Sequence, residues 1–365
     1  MEPVLLGANQ PPQFYLGGAQ IAQFRDGAQG TGAGATASNR SPEDWVASTV
    51  SRFGIPADAE DGLTRLPDGR LLRQAIMDEP EVFLAPNHLE EFGANPGLLV
   101  KLLDAGERLP VHCHPDRSFA QTHLGCSFGK TEAWIIVGTL GADPHVYLGF
   151  NHDVEPAELE TWFVAQDSAQ ILGAMNRLPV QTGDAILVPA GTPHAISAGV
   201  FIVELQEPTD FSVMLEWKAF GMPERRDEQL GLSGEQSLQC FDRSCMTAAD
   251  ISTYHRKARA NVGGVATLFP AEADPFFQAQ GVVVTAAASL AVESSYWVLI
   301  VVEGAGSVVT TMSALPVERG STVLVPYSAG RVELRGEMRA IRCLPPTASP
   351  AVVHVLPDVA VVDVS

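Results

Sequence analysis

Three histidines and one glutamate in this chain have the types and spacing of a metal site. The run His112-Cys113-His114 has strand character, and successive side chains of a strand point to opposite faces. His112 and His114 therefore face one side, and Cys113 faces the other. Glu132 and His194, from neighbouring strands, add a carboxylate and a third imidazole, which together retain a divalent cation. We predict a metal centre made of these three histidines and the glutamate.

The glycines and prolines around these ligands have a spacing of their own. The run Gly183–His194 is typical of a buried strand between two turns, and it would return His194 to the same interior as His112 and His114. This spacing matches the two sequence motifs of the cupin barrel, a small jelly roll that holds a metal between its strands. The two runs are Gly106-x5-His112 and Gly183-x5-Pro189-x-Gly191-x2-His194.

Composition indicates a large globular protein that does not bind polyanions. The chain has 365 residues, 46% of them hydrophobic, and a formal net charge of -20, which opposes binding to nucleic acid or to an anionic membrane. It contains no apolar run long enough for a membrane span, and residues 1–7 lack the basic start of a secretory signal. Five cysteines without a Cys-x2-Cys pair predict reduced thiols. We predict a cytoplasmic location, with no nucleic-acid or membrane partner.

Short apolar runs that alternate with turn residues must position the site. They predict a mainly β protein of two cupin (jelly-roll) barrels with inserted and linking helices. A Gly/Ala-rich run, 27–36, predicts a mobile loop, and whether it closes over the site stays open. The distance from His114 to Glu132 predicts an inserted loop at 115–129. The expected divisions are an N-terminal segment packing on the first barrel (1–96), a metal-binding barrel (97–217) with a helical insert (153–177), a helical linker (218–262) and a degenerate second barrel (263–365).

The second barrel is predicted from an internal repeat. The run Gly320–Pro326 repeats the Gly-x5-Pro spacing of Gly183–Pro189, which argues for a duplication. No histidine follows the second copy at the position of His194, so this barrel is expected to hold no metal and to contribute packing.

Several runs resemble the type I mannose-6-phosphate isomerase family. The resemblance covers essentially the whole chain, including the segment around Trp45 and the run that follows Asn176. Its most specific block is Gly-Lys-Thr-Glu at 129–132. The matching runs are VKLLDA at 100–105, HPD at 114–116, GKTEAW at 129–134 and VPAGTPHAI at 188–196.

The resemblance implies a zinc-dependent interconversion of an aldose phosphate and a ketose phosphate through a cis-enediol. The family's metal ligands are glutamine, histidine, glutamate and histidine, which fall on His112, His114, Glu132 and His194. The histidine at the first position departs from the pattern, but it still ligates through nitrogen, so metal binding is expected to persist. Zinc is the predicted ion, and other divalent metals fit the same ligands.

Lys130 is the candidate catalytic base. It lies two residues before Glu132, on the same strand face, where burial beside a cation favours a neutral amine. A lysine that merely orders the site is the alternative. The resemblance also places Glu204, Gln206 and Asp210 near the pocket.

Two departures affect the expected phosphate contacts. Pro110 replaces a family serine that helps hold the phosphate, and Met214 takes the position of a family arginine. Other cations would then have to bind a phosphate, and the nearest candidates are Lys101, Arg117 and Lys218.

We therefore predict a metal-dependent aldose-ketose isomerase that acts on mannose 6-phosphate and fructose 6-phosphate. One alternative is an isomerase of an unphosphorylated or modified sugar, and another is a catalytically silent sugar-binding cupin. An iron-dependent oxygenase is a more remote alternative, because a three-histidine, one-glutamate cupin site also suits iron and manganese. The expected partner is a small-molecule sugar or sugar phosphate, and the oligomeric state is left open.

Overall fold

The computed structural model describes residues 1–26, 40–56, 58–222, 229–258, 263–286, 289–292 and 294–347. The predicted mobile loop at 27–36 lies outside the described residues. Within them the chain is mainly antiparallel β, which confirms the predicted fold class. No helix in these ranges has the length and apolar character needed to cross a membrane.

The described residues up to 256 contain twelve strands, and all of them except β1 build the first barrel. They are β1 (Val4–Leu5), β2 (Glu43–Val46), β3 (Leu99–Asp104), β4 (His112–Cys113), β5 (Glu132–Thr139), β6 (His145–Phe150), β7 (Met175–Pro179), β8 (Ala185–Val188), β9 (His194–Ile196), β10 (Val200–Gln206), β11 (Val213–Met214) and β12 (His255–Arg256). One sheet has the order β2-β3-β10-β5-β8-β12, and the other has the order β7-β6-β9-β4-β11. Strand β1 belongs to neither sheet.

Strand β5 shows why these residues form a two-sided sheet. Its side chains alternate faces, so Trp134 and Ile136 pack in the interior between the two sheets. Ala133 and Ile135 point the other way, into a second apolar cluster outside the barrel. Because both faces are covered, the strand reads as a continuous apolar run, and full burial of each large side chain contributes about 1.5–3 kcal/mol.

The C-terminal strands form the second barrel, around an apolar interior of their own. They are β13 (Gly264–Thr267), β14 (Gln278–Val284), β15 (Leu290–Val292), β16 (Trp297–Val309), β17 (Ala314–Glu318), β18 (Thr322–Val325) and β19 (Val332–Leu344). The order is β1-β18-β16-β19-β14-β13, with β15 on β19 and β17 on β16. The N-terminal segment therefore reaches both barrels, since β1 pairs with β18 and β2 pairs with β3.

Helices cover the outer faces of the barrels. Helices α6 and α7, inside the predicted insert 153–177, pack on the outer face of the five-stranded sheet, and α8 and α9 lie in the predicted linker. The predicted loop 115–129 contains a helix, α5. The helices are α1 (Gln20–Arg25), α2 (Leu72–Asp78), α3 (Pro80–Phe83), α4 (Pro86–Phe92), α5 (Arg117–Leu124), α6 (Pro156–Ala165), α7 (Ser168–Gly173), α8 (Gly234–Gln239) and α9 (Ala248–Tyr254), with 3-10 turns at Lys218–Phe220, Ala271–Ala273 and Tyr327–Ala329.

Candidate metal centre and adjoining cavity

The three predicted histidine ligands converge inside the first barrel. Strand β4 pairs with β9 so that His112 lies directly opposite His194, and the Nε2 atoms of these two rings are 3.1 Å apart. One ring nitrogen from each of the three histidines lies within 4.8 Å of the others. Cys113, between the first two ligands, points into the cluster under the insert helices, as the alternation of strand faces predicts.

Backbone carbonyls orient all three imidazoles. The Nδ1 atom of His112 lies 2.8 Å from the Pro110 oxygen, and that of His194 lies 2.8 Å from the Thr192 oxygen. The Nδ1 atom of His114 lies 2.7 Å from the Phe211 oxygen. A carbonyl can only accept, so in each neutral ring Nδ1 carries the proton and Nε2 offers its lone pair to the centre.

Glu132 completes the group from the first position of β5. Its carboxylate oxygens lie 2.9 Å from Nε2 of His114 and 3.3 Å from Nε2 of His194, and Trp134 Nε1 donates to it at 2.9 Å. Burial of the Glu132 carboxyl opposes ionisation, but its interactions with the His114 ring and the Lys130 side chain outweigh burial and hold its pKa well below the usual range.

Burial keeps the imidazoles neutral. It lowers the pKa of His114 and of His194 to about 3, and it holds the pKa of His112 well below its ordinary value. A neutral imidazole is the form that ligates a metal. Three oriented nitrogen donors and one ionised carboxylate therefore fit a divalent transition-metal ion.

Lys130 is buried beside this group. Its Nζ lies 3.1 Å from Nε2 of His114 and 3.3 Å from Glu132 Oε2, and the residue precedes β5, which begins at Glu132. The backbone N–H of Lys130 donates to the Pro115 carbonyl at 2.9 Å, which fixes the approach to β5. The Lys130 amine therefore lies where it could accept a proton from a molecule bound at the metal centre.

A cavity of about 560 Å³ opens directly onto the candidate metal centre. This volume suits a small polar ligand. Four of the predicted catalytic and substrate-binding residues line it, namely Lys101, Lys130, Glu204 and Asp210, together with the candidate ligands His112, Glu132 and His194. The departures Pro110 and Met214 line the same cavity.

Lys101 and Glu204 belong to a buried charged network on one wall of the cavity. Lys101 Nζ lies 3.3 Å from Glu43 and 3.7 Å from Glu204, and 4.7 Å from the centroid of the Trp45 ring. Burial opposes the ammonium, but the negative charge of Glu43 outweighs burial and raises the pKa of Lys101. Burial and the charge of Glu132 raise the pKa of Glu204 to about 8, so this carboxyl is largely protonated at neutral pH.

Arg117 and Gln206 do not reach the cavity. The Arg117 side chain lines a separate pocket, where its Nε donates to Glu207 at 2.6 Å and its guanidinium stacks on Phe276. It neutralises a buried carboxylate there. The Gln206 amide is fully buried and donates to the Thr209 carbonyl, so it stabilises the turn after β10.

Several cavity residues were not among the sequence candidates. Glu43 accepts hydrogen bonds from the Tyr15 hydroxyl and from Trp45 Nε1, and Arg40 and Arg52 also line the cavity. The resemblance around Trp45 pointed to this segment but not to its charged neighbours. Because His112, the first candidate metal ligand, follows these residues by 60–72 positions, spacing alone could not bring them together.

Comparison with known proteins gives one consistent result. The family model "Mannose-6-phosphate isomerase, cupin domain" matches residues 266–345. The chain is 27% identical over 268 residues to a mannose-6-phosphate isomerase of Streptococcus mutans, covering 71% of this chain and 78% of the relative. It is 27% identical over 259 residues to mannose-6-phosphate isomerase ManA of Bacillus subtilis, covering 70% and 78%.

Solved structures share the whole fold. The mannose 6-phosphate isomerase of Bacillus subtilis superposes with a TM-score of 0.72 at 20% identity, over 94% of this chain and 99% of the other. The apo form of the enzyme from Salmonella typhimurium gives a TM-score of 0.66 at 13% identity, over 95% and 99%. At these identities the superpositions establish the fold, two barrels with attached helices.

Proposed function

We propose that the chain is a member of the type I mannose-6-phosphate isomerase family, as its relatives indicate, and that it interconverts mannose 6-phosphate and fructose 6-phosphate. The observation that carries the proposal is the convergence of three neutral imidazoles, one carboxylate and the Lys130 amine on a single cavity. The family names of the relatives favour this reaction over an unphosphorylated substrate or a silent binding protein.

We propose that His112, His114, Glu132 and His194 hold the metal, and that the metal is zinc. Nitrogen ligands with one carboxylate suit this borderline ion. When bound, such an ion polarises carbonyl and hydroxyl oxygens as a Lewis acid.

Lys130 is proposed to move the proton. Its amine removes the proton from C2 of the aldose, the C2–H electron pair forms the C1=C2 bond, and the C1=O π pair passes to O1, which takes up a proton from solvent to give the cis-enediol. O2 then releases its proton to solvent as the C2=O bond forms, and the C1=C2 pair takes the proton back from Lys130 at C1, so that the net change moves one proton from C2 to C1 and one from O2 to O1. The buried, protonated Glu204 can donate a hydrogen bond to a sugar oxygen, because its Oε1 has no hydrogen-bond partner among the described residues.

The test is a coupled assay of zinc-loaded protein with mannose 6-phosphate, with free mannose and a chelator-treated sample in parallel. We expect turnover of the phosphorylated sugar that depends on the metal. Activity on free mannose alone would show that the substrate is the unphosphorylated sugar. Activity on neither sugar would refute the isomerase function.

Lys130→Ala tests the role of the base. We expect kcat to fall by about 10²–10⁴-fold, the usual contribution of a positioned proton-transfer group, with zinc content and thermal midpoint unchanged. Lys257→Ala is the matched control, because that ammonium is mostly exposed and binds Asp184 away from the cavity. Unchanged turnover in Lys130→Ala would remove Lys130 from the mechanism.

A further inference from the structure

We infer that Arg52 is the cation that recognises the substrate's phosphate, an inference that rests on the proposed function. Arg52 lines the same cavity as the candidate metal ligands and reaches it from the short loop 51–54. It thus supplies positive charge where the family arginine position holds Met214 and the family serine position holds Pro110, both of which line this cavity without a side-chain donor.

Within the described part of the chain, the Arg52 guanidinium has no ion-pair partner, and its buried Nε makes no hydrogen bond. A buried N–H of a charged group that stays unsatisfied costs free energy, and a ligand that accepts from this N–H would remove that cost. A guanidinium fork binds phosphate oxygens in bidentate fashion.

The other cations of the cavity already have partners. Lys101 pairs with Glu43 and Glu204, and Lys130 contacts Glu132 and His114. Arg40 donates to the Phe14 carbonyl. A dianionic phosphate would have to compete with these protein groups for any of the three, whereas the Arg52 guanidinium can bind it without breaking a side-chain contact to another described residue.

The loop that carries Arg52 is fixed to the wall of the metal centre. The Phe53 N–H donates to Asp210 Oδ2 at 2.9 Å, and the Phe53 ring packs edge-on against Phe211, with centroids 5.9 Å apart. The Phe211 carbonyl in turn accepts from His114. The guanidinium and the metal ligands are therefore held on one framework, which suits a substrate that binds the metal at one end and a cation at the other.

Asp210, which contacts this loop, forms no ion pair with Arg52 in the described structure. Burial raises the pKa of Asp210 above its ordinary value, and its Oδ2 accepts a hydrogen bond from the Phe53 N–H. On the other side of the loop, the Arg52 N–H donates to the Asp61 carbonyl at 3.0 Å, so the backbone at Arg52 is anchored as well.

The experiment measures binding of mannose 6-phosphate and of free mannose to the full-length, zinc-loaded protein by titration calorimetry. The wild-type protein should bind the phosphorylated sugar more tightly than mannose. Arg52→Met should reduce that preference by about 10- to 100-fold, the loss expected for a charge-assisted hydrogen-bonded pair, with mannose affinity unchanged. Arg52→Lys should retain part of the preference, because it keeps the charge but loses the fork.

Arg65→Met is the matched control. Arg65 lies in the same N-terminal segment, but its side chain is mostly exposed and bonds Glu60 and the Gly69 carbonyl outside the cavity. It should leave both affinities unchanged. A wild-type preference that survives Arg52→Met, or a wild-type protein with no preference for the phosphorylated sugar, would overturn the inference.

Turnover measured on the same samples separates this inference from the proposed function. A protein that converts mannose 6-phosphate with the same KM in Arg52→Met would refute only the role of Arg52. A protein whose phosphate preference depends on Arg52 but which converts neither sugar would support the binding role and refute the isomerase function.

Discussion

His112 occupies the ligand position where the type I isomerase pattern has a glutamine. Its ring is held by the Pro110 carbonyl and faces His194 across 3.1 Å. An imidazole nitrogen is a better ligand for zinc than an amide oxygen, so the substitution should tighten the site.

His112→Gln restores the family residue and tests this expectation. We expect zinc binding to weaken by roughly 10- to 100-fold and not to disappear, whereas His112→Ala should weaken it further. Competition with a chromophoric chelator measures both. His152→Gln, an exposed histidine beside Glu158, should bind zinc as the wild type does. Equal zinc affinity in all three variants would mean that His112 is not a ligand.

The site residues that could be predicted from the sequence lie on or next to strands, where the alternation of side chains fixes which face each residue occupies. The His-x-His pair and Glu132 follow from alternation along β4 and β5, and the structure brings them together. Arg117 could not be placed in this way, because its direction depends on α5 and on its pairing with the buried Glu207. Arg52 was missed because its loop is held at the cavity by contacts between residues far apart in sequence, such as Phe53 with Asp210 and Phe211.

At the scale of elements, the junction before β5 decides where Lys130 lies. A Cβ on Gly129 would come within 2.6 Å of the Pro115 oxygen and 2.7 Å of the Asp116 carbonyl carbon, both backbone atoms. The chain can approach so closely there only because Gly129 has no side chain.

Gly129→Ala should therefore shift the start of β5 and misplace Lys130. We expect about 1–3 kcal/mol of lost stability, the usual cost of overpacking, and a larger proportional loss of kcat than of zinc affinity. Urea unfolding and the coupled assay measure the two effects. Gly173→Ala, in a helix with open space around the added methyl group, should keep full activity. Wild-type stability and turnover in Gly129→Ala would show that the backbone at this junction can accommodate a Cβ atom without moving Lys130.

Helices and strands were predictable where the apolar residues recur with a clear period along the sequence. The strands of both barrels follow from their apolar runs and turn residues. Helix α5 fell within a predicted loop, although its signals are present: Asp116 caps the first turn by accepting from Phe119 N, and Gly125 ends the helix in the left-handed conformation. With only eight residues, most of them polar, the helix is too short for a period of apolar residues to reveal it.

At the scale of the whole molecule, the two barrels share one large apolar cluster. It contains Val203 and Leu205 from the first barrel, Val298 and Ile300 from the second, and residues of helices α2 and α3. The charged contact that also spans this junction is buried: Arg25 pairs with Asp44 at 2.7 Å, and both side chains are about 1% exposed or less.

Arg25 connects three parts of the chain. It donates to Asp44 on β2 of the first barrel, to the Leu6 carbonyl, and to Thr322 Oγ1 on β18 of the second barrel at 2.8 Å. Removing the guanidinium would leave the Asp44 carboxylate buried without its cation, a loss that outweighs any gain from an apolar replacement.

Arg25→Met should therefore lower the free energy of unfolding by about 3–5 kcal/mol, measured by urea denaturation of the metal-free protein. Adding Asp44→Asn should recover part of the loss, because a neutral amide is less costly to bury than an unpaired carboxylate. Arg335→Met, which removes an exposed partner of Glu333, should leave the free energy of unfolding unchanged. If Arg25→Met were as stable as the Arg335 variant, the apolar cluster alone would hold the barrels together, and the buried ion pair would contribute nothing to their association.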